Sequence, residues 1–192
     1  MMRDLGTLVL VVGPSGSGKD TLLRLARMGL RGDDRFVFPR RIVTREAVAE
    51  TEDHGSVDRG EFDAMRKAGG FALDWEAHGL DYGLPASISG DLAAGRTVVC
   101  NGSRRVIAAA ADRFPRCHAI LVHAHAEVRA RRLALRGRET AAEIAVRLNR
   151  EAEPIADVVP TTRIDNSGDL AVGATAILVT LLNVAVNEPT AS

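Results

Sequence analysis

Residues Gly13-Pro14-Ser15-Gly16-Ser17-Gly18-Lys19-Asp20 directly follow five aliphatic residues, Leu8–Val12. A short apolar run of this kind is a buried strand, and a glycine-rich segment opening into a helical pattern is a tight strand-to-helix loop. Glycines let such a loop curl so that its N–H groups point at one anion, and the following helix adds its positive end. The spacing of Gly13, Gly18 and Lys19 is that of a phosphate-binding P-loop, in which the lysine reaches the outer phosphates as a compact charge. A P-loop needs a strand and a packed helix around it, which confines the chain to an α/β fold. We read residues 13–21 (Gly13, Pro14, Ser15, Gly16, Ser17, Gly18, Lys19, Asp20 and Thr21) as nucleotide-binding, with Lys19 also catalytic. One position departs from the pattern. The residue after the lysine is normally a Ser or Thr that ligates Mg²⁺, and here it is Asp20, a hard oxygen donor with a full charge. Asp20 is therefore the candidate Mg²⁺ ligand, direct or through water. The plainer reading is an acid favoured in the first turn of a helix.

The rest of the chain alternates in the same way. Strands are expected at Leu8–Val12, Arg35–Phe38, Thr97–Cys100, Ala119–Val122 and Arg163–Asp165. Helices are expected at 20–30, 103–113, 125–136, 140–158 and 169–186. This predicts a three-layer P-loop sandwich, a parallel sheet with helices on both faces. A polar, glycine-rich segment at about 40–85 interrupts the rhythm. It contains Asp58-Arg59-Gly60-Glu61, a capping-box pattern, and two possible strands, Phe71–Glu76 and Leu80–Gly83. We expect one domain over 1–187, with a core of 5–39 and 86–187, an inserted substrate lobe at 40–85, a lid at 134–141 and a tail at 188–192.

Composition removes several function classes. Lys+Arg and Asp+Glu number 25 each and aromatics are 4%, which argues against a nucleic-acid binder, a membrane-surface binder or a base-stacking platform. Cys100 and Cys117 have no redox or zinc spacing and read as buried thiols of a cytosolic protein. No signal-peptide pattern opens the chain, and the apolar stretch Leu170–Val186, interrupted by Thr175, Thr180 and Asn183, is too short and polar for a membrane span. A cytoplasmic location and a small-molecule substrate are expected, while the oligomeric state is not legible.

Arginines concentrate at 129–138. Gly137 lies where a helix would end, so Arg136 and Arg138 are expected on a mobile loop that closes over phosphates, with Arg147 on the next helix as a third catalytic arginine. Arg150 shares a helix face with Arg147. Arg129, Arg131 and Arg132 are expected on a solvated face paired with acids such as Glu127 and Glu143. His123 and His125 read as structural, and His54 and His78 as candidates to face substrate.

Taken together, these segments resemble the guanylate-kinase-like branch of nucleoside monophosphate kinases over most of the chain. Thr44-Arg45 matches the Thr-Arg that contacts acceptor phosphate there. His54 stands where that group has a phosphate-binding tyrosine. Gly79-Leu80-Asp81-Tyr82-Gly83 matches Gly-x-x-Tyr-Gly, Arg136-Gly137-Arg138 matches the lid, and Asn166 falls at the adenine pocket. Three departures stand out. Leu73 occupies the place of a guanine-reading glutamate and cannot accept hydrogen bonds from a base. Val48 replaces a second phosphate-binding arginine. Val99-Cys100-Asn101 replaces an acidic Asp-x-Asp. These departures, with Asp20, Thr44-Arg45, Trp75 with Gly79 and Tyr82, Asn101-Gly102-Ser103-Arg104 and Arg136-Gly137-Arg138-Glu139, are similar to the ribose 1,5-bisphosphate phosphokinase family of bacterial phosphonate use. The resemblance implies ATP-dependent phosphorylation of the 1-phosphate of ribose 1,5-bisphosphate, with Mg²⁺, giving 5-phospho-α-D-ribose 1-diphosphate. It also implies an acceptor site of Arg41, Arg45, His54, Tyr82, Asn101 and Arg104.

The chemistry fits that acceptor. A phosphate is already ionised at neutral pH and needs no general base, whereas a hydroxyl acceptor would want one of Asp74, Glu76 or Asp81 nearby. Tyr82 and Trp75 have a second reading, as packing for the lobe itself. Two alternatives remain. One is a guanylate or other nucleoside monophosphate kinase. The other is an inactive binding module, which would be expected to lose Lys19, Arg136 and Arg138, all of which are present.

Overall fold

The computed structural model describes residues 5–44, 54–77, 79–135, 137, 140–149 and 158–186. Strand β1 (Leu8–Val12) is completely buried and lies at the centre of a five-stranded parallel sheet. The other strands are β2 (Phe36–Val37), β7 (Thr97–Asn101), β8 (Cys117–His123) and β9 (Thr161–Asp165), in the order β2-β7-β1-β8-β9. Val11 pairs with Asn101 and Val12 with Leu121, so the strand ends at the loop are in step.

Alternation along β1 decides what covers each face. Val9 and Val11 pack with Leu22 and Ala26 of α1 (Lys19–Gly29) and with Ile177 and Leu181 of α7 (Leu170–Val186). Leu8, Leu10 and Val12 face a second cluster that includes Ile107 and Ala110 of α4 (Ile107–Arg113). Apolar residues on both faces of the central strand are what a sheet covered on both sides requires. Among the described residues no helix is long and apolar enough to cross a membrane.

The segment that breaks the sequence rhythm holds a separate sheet, ordered β4-β3-β6-β5. Its strands are β3 (Arg41–Val43), β4 (His54–Ser56), β5 (Phe71–Ala77) and β6 (Leu80–Pro85). The three-residue strands β3 and β4 are too short to show an alternation, and no strand is expected there from sequence. Helix α2 (Arg59–Lys67) starts at the expected capping box: Asp58 accepts from the Glu61 N–H while Glu61 accepts from the Asp58 N–H. Phe62 of α2 stacks on Phe71 of β5, ring centroids 4.5 Å apart. A Cβ on Gly83 would stand 2.4 Å from that Phe71 ring, which accounts for the glycine after Tyr82.

Elsewhere the expected elements shift at their ends. Helix α3 (Ile88–Ala93) was not expected, and the helix expected from Ser103 is a 3₁₀ turn, Arg104–Val106, leading into α4. The described helices after β8 are α5 (Ala126–Leu135) and α6 (Ala141–Asn149). Residues 150–157 of the helix expected to run to Val158 lie outside the described residues.

Candidate active site

The loop after β1 has the shape its glycines allow. Gly16 and Gly18 have φ of +78° and +87°, and a Cβ on Gly13 would meet the Val122 carbonyl oxygen at 2.1 Å. Three side chains hold the loop's carbonyls from behind. The Arg129 Nε donates to Ser15 O at 3.0 Å. An Arg132 guanidinium nitrogen donates to Ser17 O at 3.2 Å and more weakly to Gly16 O at 3.4 Å. The Asn166 Nδ2 donates to Ser17 O at 2.7 Å. With carbonyls drawn outward in a curled loop, the N–H groups are left to gather around an anion.

These contacts correct the reading of the arginines. Arg129 is only 9% exposed and lies against the loop, and Arg132 is half-buried beside it, so neither belongs to a solvated face. Arg131 does point to solvent. Asn166, expected at the adenine pocket, is 1% exposed with its amide turned into the loop's backbone. Its position comes from the turn after β9. The Asn166 N–H donates to His123 O at 2.8 Å, and the His125 N–H donates to Ser167 Oγ at 2.9 Å. Both Ser167 donors bond Asp165, and these bonds, with His123 and His125 at 3.8 and 4.0 Å, hold the Asp165 carboxyl below the usual carboxylate range.

Lys19 and Asp20 begin α1, and Thr21 lies in its first turn. Asn101 ends β7 beside the loop, and its Nδ2 donates to Asp20 Oδ1 at 2.5 Å. Among the described residues, Ser17 Oγ, Asn101 Oδ1 and Asn166 Oδ1 are buried with no hydrogen-bond partner, and of these Asn101 Oδ1 belongs to the side chain bonded to Asp20. An orphaned buried acceptor beside a carboxylate suits a hydrated cation arriving with a polyphosphate. Among the described residues no group of three or more His, Cys, Asp or Glu could hold a metal unaided, so such an ion would depend on the phosphates for much of its coordination.

On the second sheet, the Arg41 guanidinium sits 5.1 Å from the Tyr82 ring centroid, and Tyr82 stacks on Trp75 at 5.5 Å. Trp75 is buried in the core cluster, with Tyr82 packed at its edge. Thr44 is locked to β6: its N–H donates to Asp81 O at 3.0 Å and its Oγ1 accepts from the Asp81 N–H at 2.8 Å. Asp74 and Asp81 both accept from Arg66, and Arg59 is 3.5 Å from Asp81. Leu73 is in the core cluster, packed away from solvent. The 3₁₀ turn carrying the half-buried Arg104 packs on β5. Arg45, Arg136 and Arg138 lie outside the described residues, as do His78 and the side chains of His54 and Arg147.

No protein-family model matches the chain. It is 46% identical over 184 residues to the ribose 1,5-bisphosphate phosphokinase PhnN of Brucella abortus biovar 1, an alignment covering 94% of each. It is 56% identical over 155 residues to the PhnN of Acidiphilium cryptum, covering 80% of this chain and 82% of that one. The chain belongs to the ribose 1,5-bisphosphate phosphokinase family. Another relative, from Cupriavidus necator, is a bifunctional ribose 1,5-bisphosphokinase-thymidine phosphorylase; it is 45% identical over 172 residues, and the alignment spans 28% of its length. Among solved structures, guanylate kinase from Anaplasma phagocytophilum superposes with a TM-score of 0.65 at 21% identity, covering 95% of this chain and 88% of that one. That likeness establishes a guanylate-kinase-like α/β P-loop fold for this member of the phosphokinase family.

Sequence reasoning missed Arg129 and Arg132 as loop contacts, although a pattern for them was present. Arg129, Arg132 and Leu133 follow i, i+3, i+4 spacing, and Leu133 is buried at 2%. Arginines on the same stripe as a core leucine face inward with it.

Proposed function

We propose that this chain transfers the γ-phosphoryl group of ATP to the 1-phosphate of ribose 1,5-bisphosphate, giving 5-phosphoribosyl 1-diphosphate and ADP. The observation that carries this reading is the likeness to the Brucella abortus phosphokinase over 94% of both chains.

The residues supply the physical means. The P-loop N–H groups and the N-terminus of α1 cradle the donor's phosphates, and Lys19 neutralises the outer ones. Mg²⁺, held by Asp20 with the phosphates, would offset charge on the transferring group. The acceptor oxygen belongs to a phosphate that is ionised at neutral pH, so transfer needs alignment and charge compensation rather than proton abstraction. The acceptor side fits this need. Arg41 is a cation held over an aromatic face, Arg104 lies at the seam between the two sheets, and Arg45 follows the anchored Thr44. Two of the three carboxylates near the acceptor side, Asp74 and Asp81, are engaged by Arg66 rather than held free to act as a base. Leu73, buried in the core, presents no acceptor to a purine. Arg136, Arg138 and Arg147 complete the proposal as arginines that close over the transferring phosphoryl group.

The test is a substrate comparison on purified protein with ATP and Mg²⁺. Ribose 1,5-bisphosphate and GMP are supplied separately and the products identified by mass. Formation of 5-phosphoribosyl 1-diphosphate supports the proposal. Turnover of GMP alone overturns it in favour of a guanylate kinase.

A further inference from the structure

The usual P-loop metal site divides its work between two positions. A neutral hydroxyl follows the loop lysine, and a carboxylate ends a neighbouring strand. Here both positions depart from that pattern, and they depart together. The residue after Lys19 is Asp20, and the end of β7, the strand hydrogen-bonded to β1, is Asn101. The two side chains touch, Asn101 Nδ2 donating to Asp20 Oδ1. The direction of this bond follows from chemistry: an ionised carboxylate only accepts, so the amide must present its NH₂. That leaves Asn101 Oδ1 buried with no partner.

We propose that Asp20 and Asn101 are an exchanged pair, in which the single carboxylate of the cation site has moved from the strand to the loop and the strand has become neutral to match. The inference rests on the reading of the chain as an ATP-using kinase. It assigns Asn101 a positioning role toward Asp20 in place of the sugar-phosphate contact expected from sequence. The exchange keeps one negative charge beside the polyphosphate. Two adjacent carboxylates would repel each other and the nucleotide, and none would leave the cation without a protein anion. The amide of Asn101 fixes the orientation of the carboxylate, and its buried Oδ1 offers an acceptor to a water carried by the cation.

The two residues are nearly isosteric, so the pair can be reversed with little change of shape. The variants are Asp20→Asn, Asn101→Asp and Asp20→Asn/Asn101→Asp, each as the full chain with its ligand-free melting temperature checked. Calorimetry measures ADP affinity with and without Mn²⁺, and the ratio of the two affinities reports metal coupling apart from turnover. Asp20→Asn should bind metal-free ADP at least as tightly as the parent while losing about tenfold of the Mn²⁺ enhancement. Asn101→Asp should weaken metal-free ADP by a similar factor. The reversed pair should recover the parent ratio to within about threefold, a non-additive result, and the different effects of the two single variants on metal-free ADP are what a purely structural bond would not give. A double variant whose losses equal the product of the two singles overturns the exchange. So does an Asp20→Asn chain with the parent's Mn²⁺ enhancement. A parent chain that binds no ADP with Mn²⁺ overturns the kinase reading itself and this inference with it.

Discussion

Replacing Arg129 with Met tests whether the P-loop is held in shape from behind. The side chain is 9% exposed, and its Nε donates to the Ser15 carbonyl at 3.0 Å. Methionine keeps much of the apolar stem and removes the charge and the donor. A hydrogen bond from a charged group contributes about 1.5–3 kcal/mol. If that energy orders the loop in its phosphate-binding form, its loss raises the KM for ATP about 10- to 100-fold, at about 1.4 kcal/mol per decade. The value of kcat at saturating ATP should change far less, because Arg129 lies behind the loop. Initial rates with ADP release coupled to NADH oxidation, with ATP varied at saturating ribose 1,5-bisphosphate, give both constants. Leu133→Ala on the same helix is the control. Leu133 is buried at 2%, so its truncation should cost about 2–5 kcal/mol of stability with little change in the ATP KM of the folded enzyme. An Arg129→Met enzyme with a KM within twofold of the parent, or one that differs from the parent only in melting temperature, would refute the reasoning.

Lys19→Ala should leave the melting temperature unchanged and remove detectable turnover, and a near-normal rate would contradict the loop's assignment. Gly83→Ala places a methyl group 2.4 Å from a Phe71 ring already stacked on Phe62, so thermal melting should show a loss of about 1–3 kcal/mol. Burial holds His118 below the ordinary histidine range, so the unfolded chain binds the proton more readily than the folded one. Its contribution is therefore fully present above about pH 6.5 and is lost as pH falls below it; urea midpoints at pH 7.5 and 5.5 should show a drop that His118→Asn reduces. Burial pushes the Cys117 thiol up to about 11 and raises Cys100 further, so iodoacetamide at pH 8 should label neither cysteine in the native protein and both in urea.

Much of the fold could be read from the chain because the parallel core announces itself. Leu8–Val12 is a run that only a strand covered on both faces can use, and the glycine loop and α1 follow it without a gap. The capping box at Asp58 and Glu61 was equally legible, since it is written in four consecutive residues. The second sheet was only half visible. β5 and β6 are long enough to show a pattern, while β3 and β4 owe their existence to pairing between residues more than ten positions apart. Within the site, local spacing picked out Lys19 and Asp20. It gave no sign that Asp20 and Asn101, 81 positions apart, would meet. It also placed Arg129 and Arg132 on the wrong side of α5, because their charge was weighed above their position on the same stripe as Leu133.

The apolar cluster beneath one face of β1 does not stop at the edge of the main sheet. It runs from Leu10 and Val12 through Cys100 into Leu73, Trp75 and Leu84 of the second sheet, with Tyr82 at its border. The segment carrying Arg41 and Tyr82 therefore shares its packing with the segment carrying the P-loop. Exchanging residues 40–85 between relatives would exchange half of a jigsaw, and hybrids that ignore the matching positions on β1 and β7 should fold poorly. Among the described residues of the second sheet, a side chain can change without reshaping the shared interior only where it lies outside that cluster.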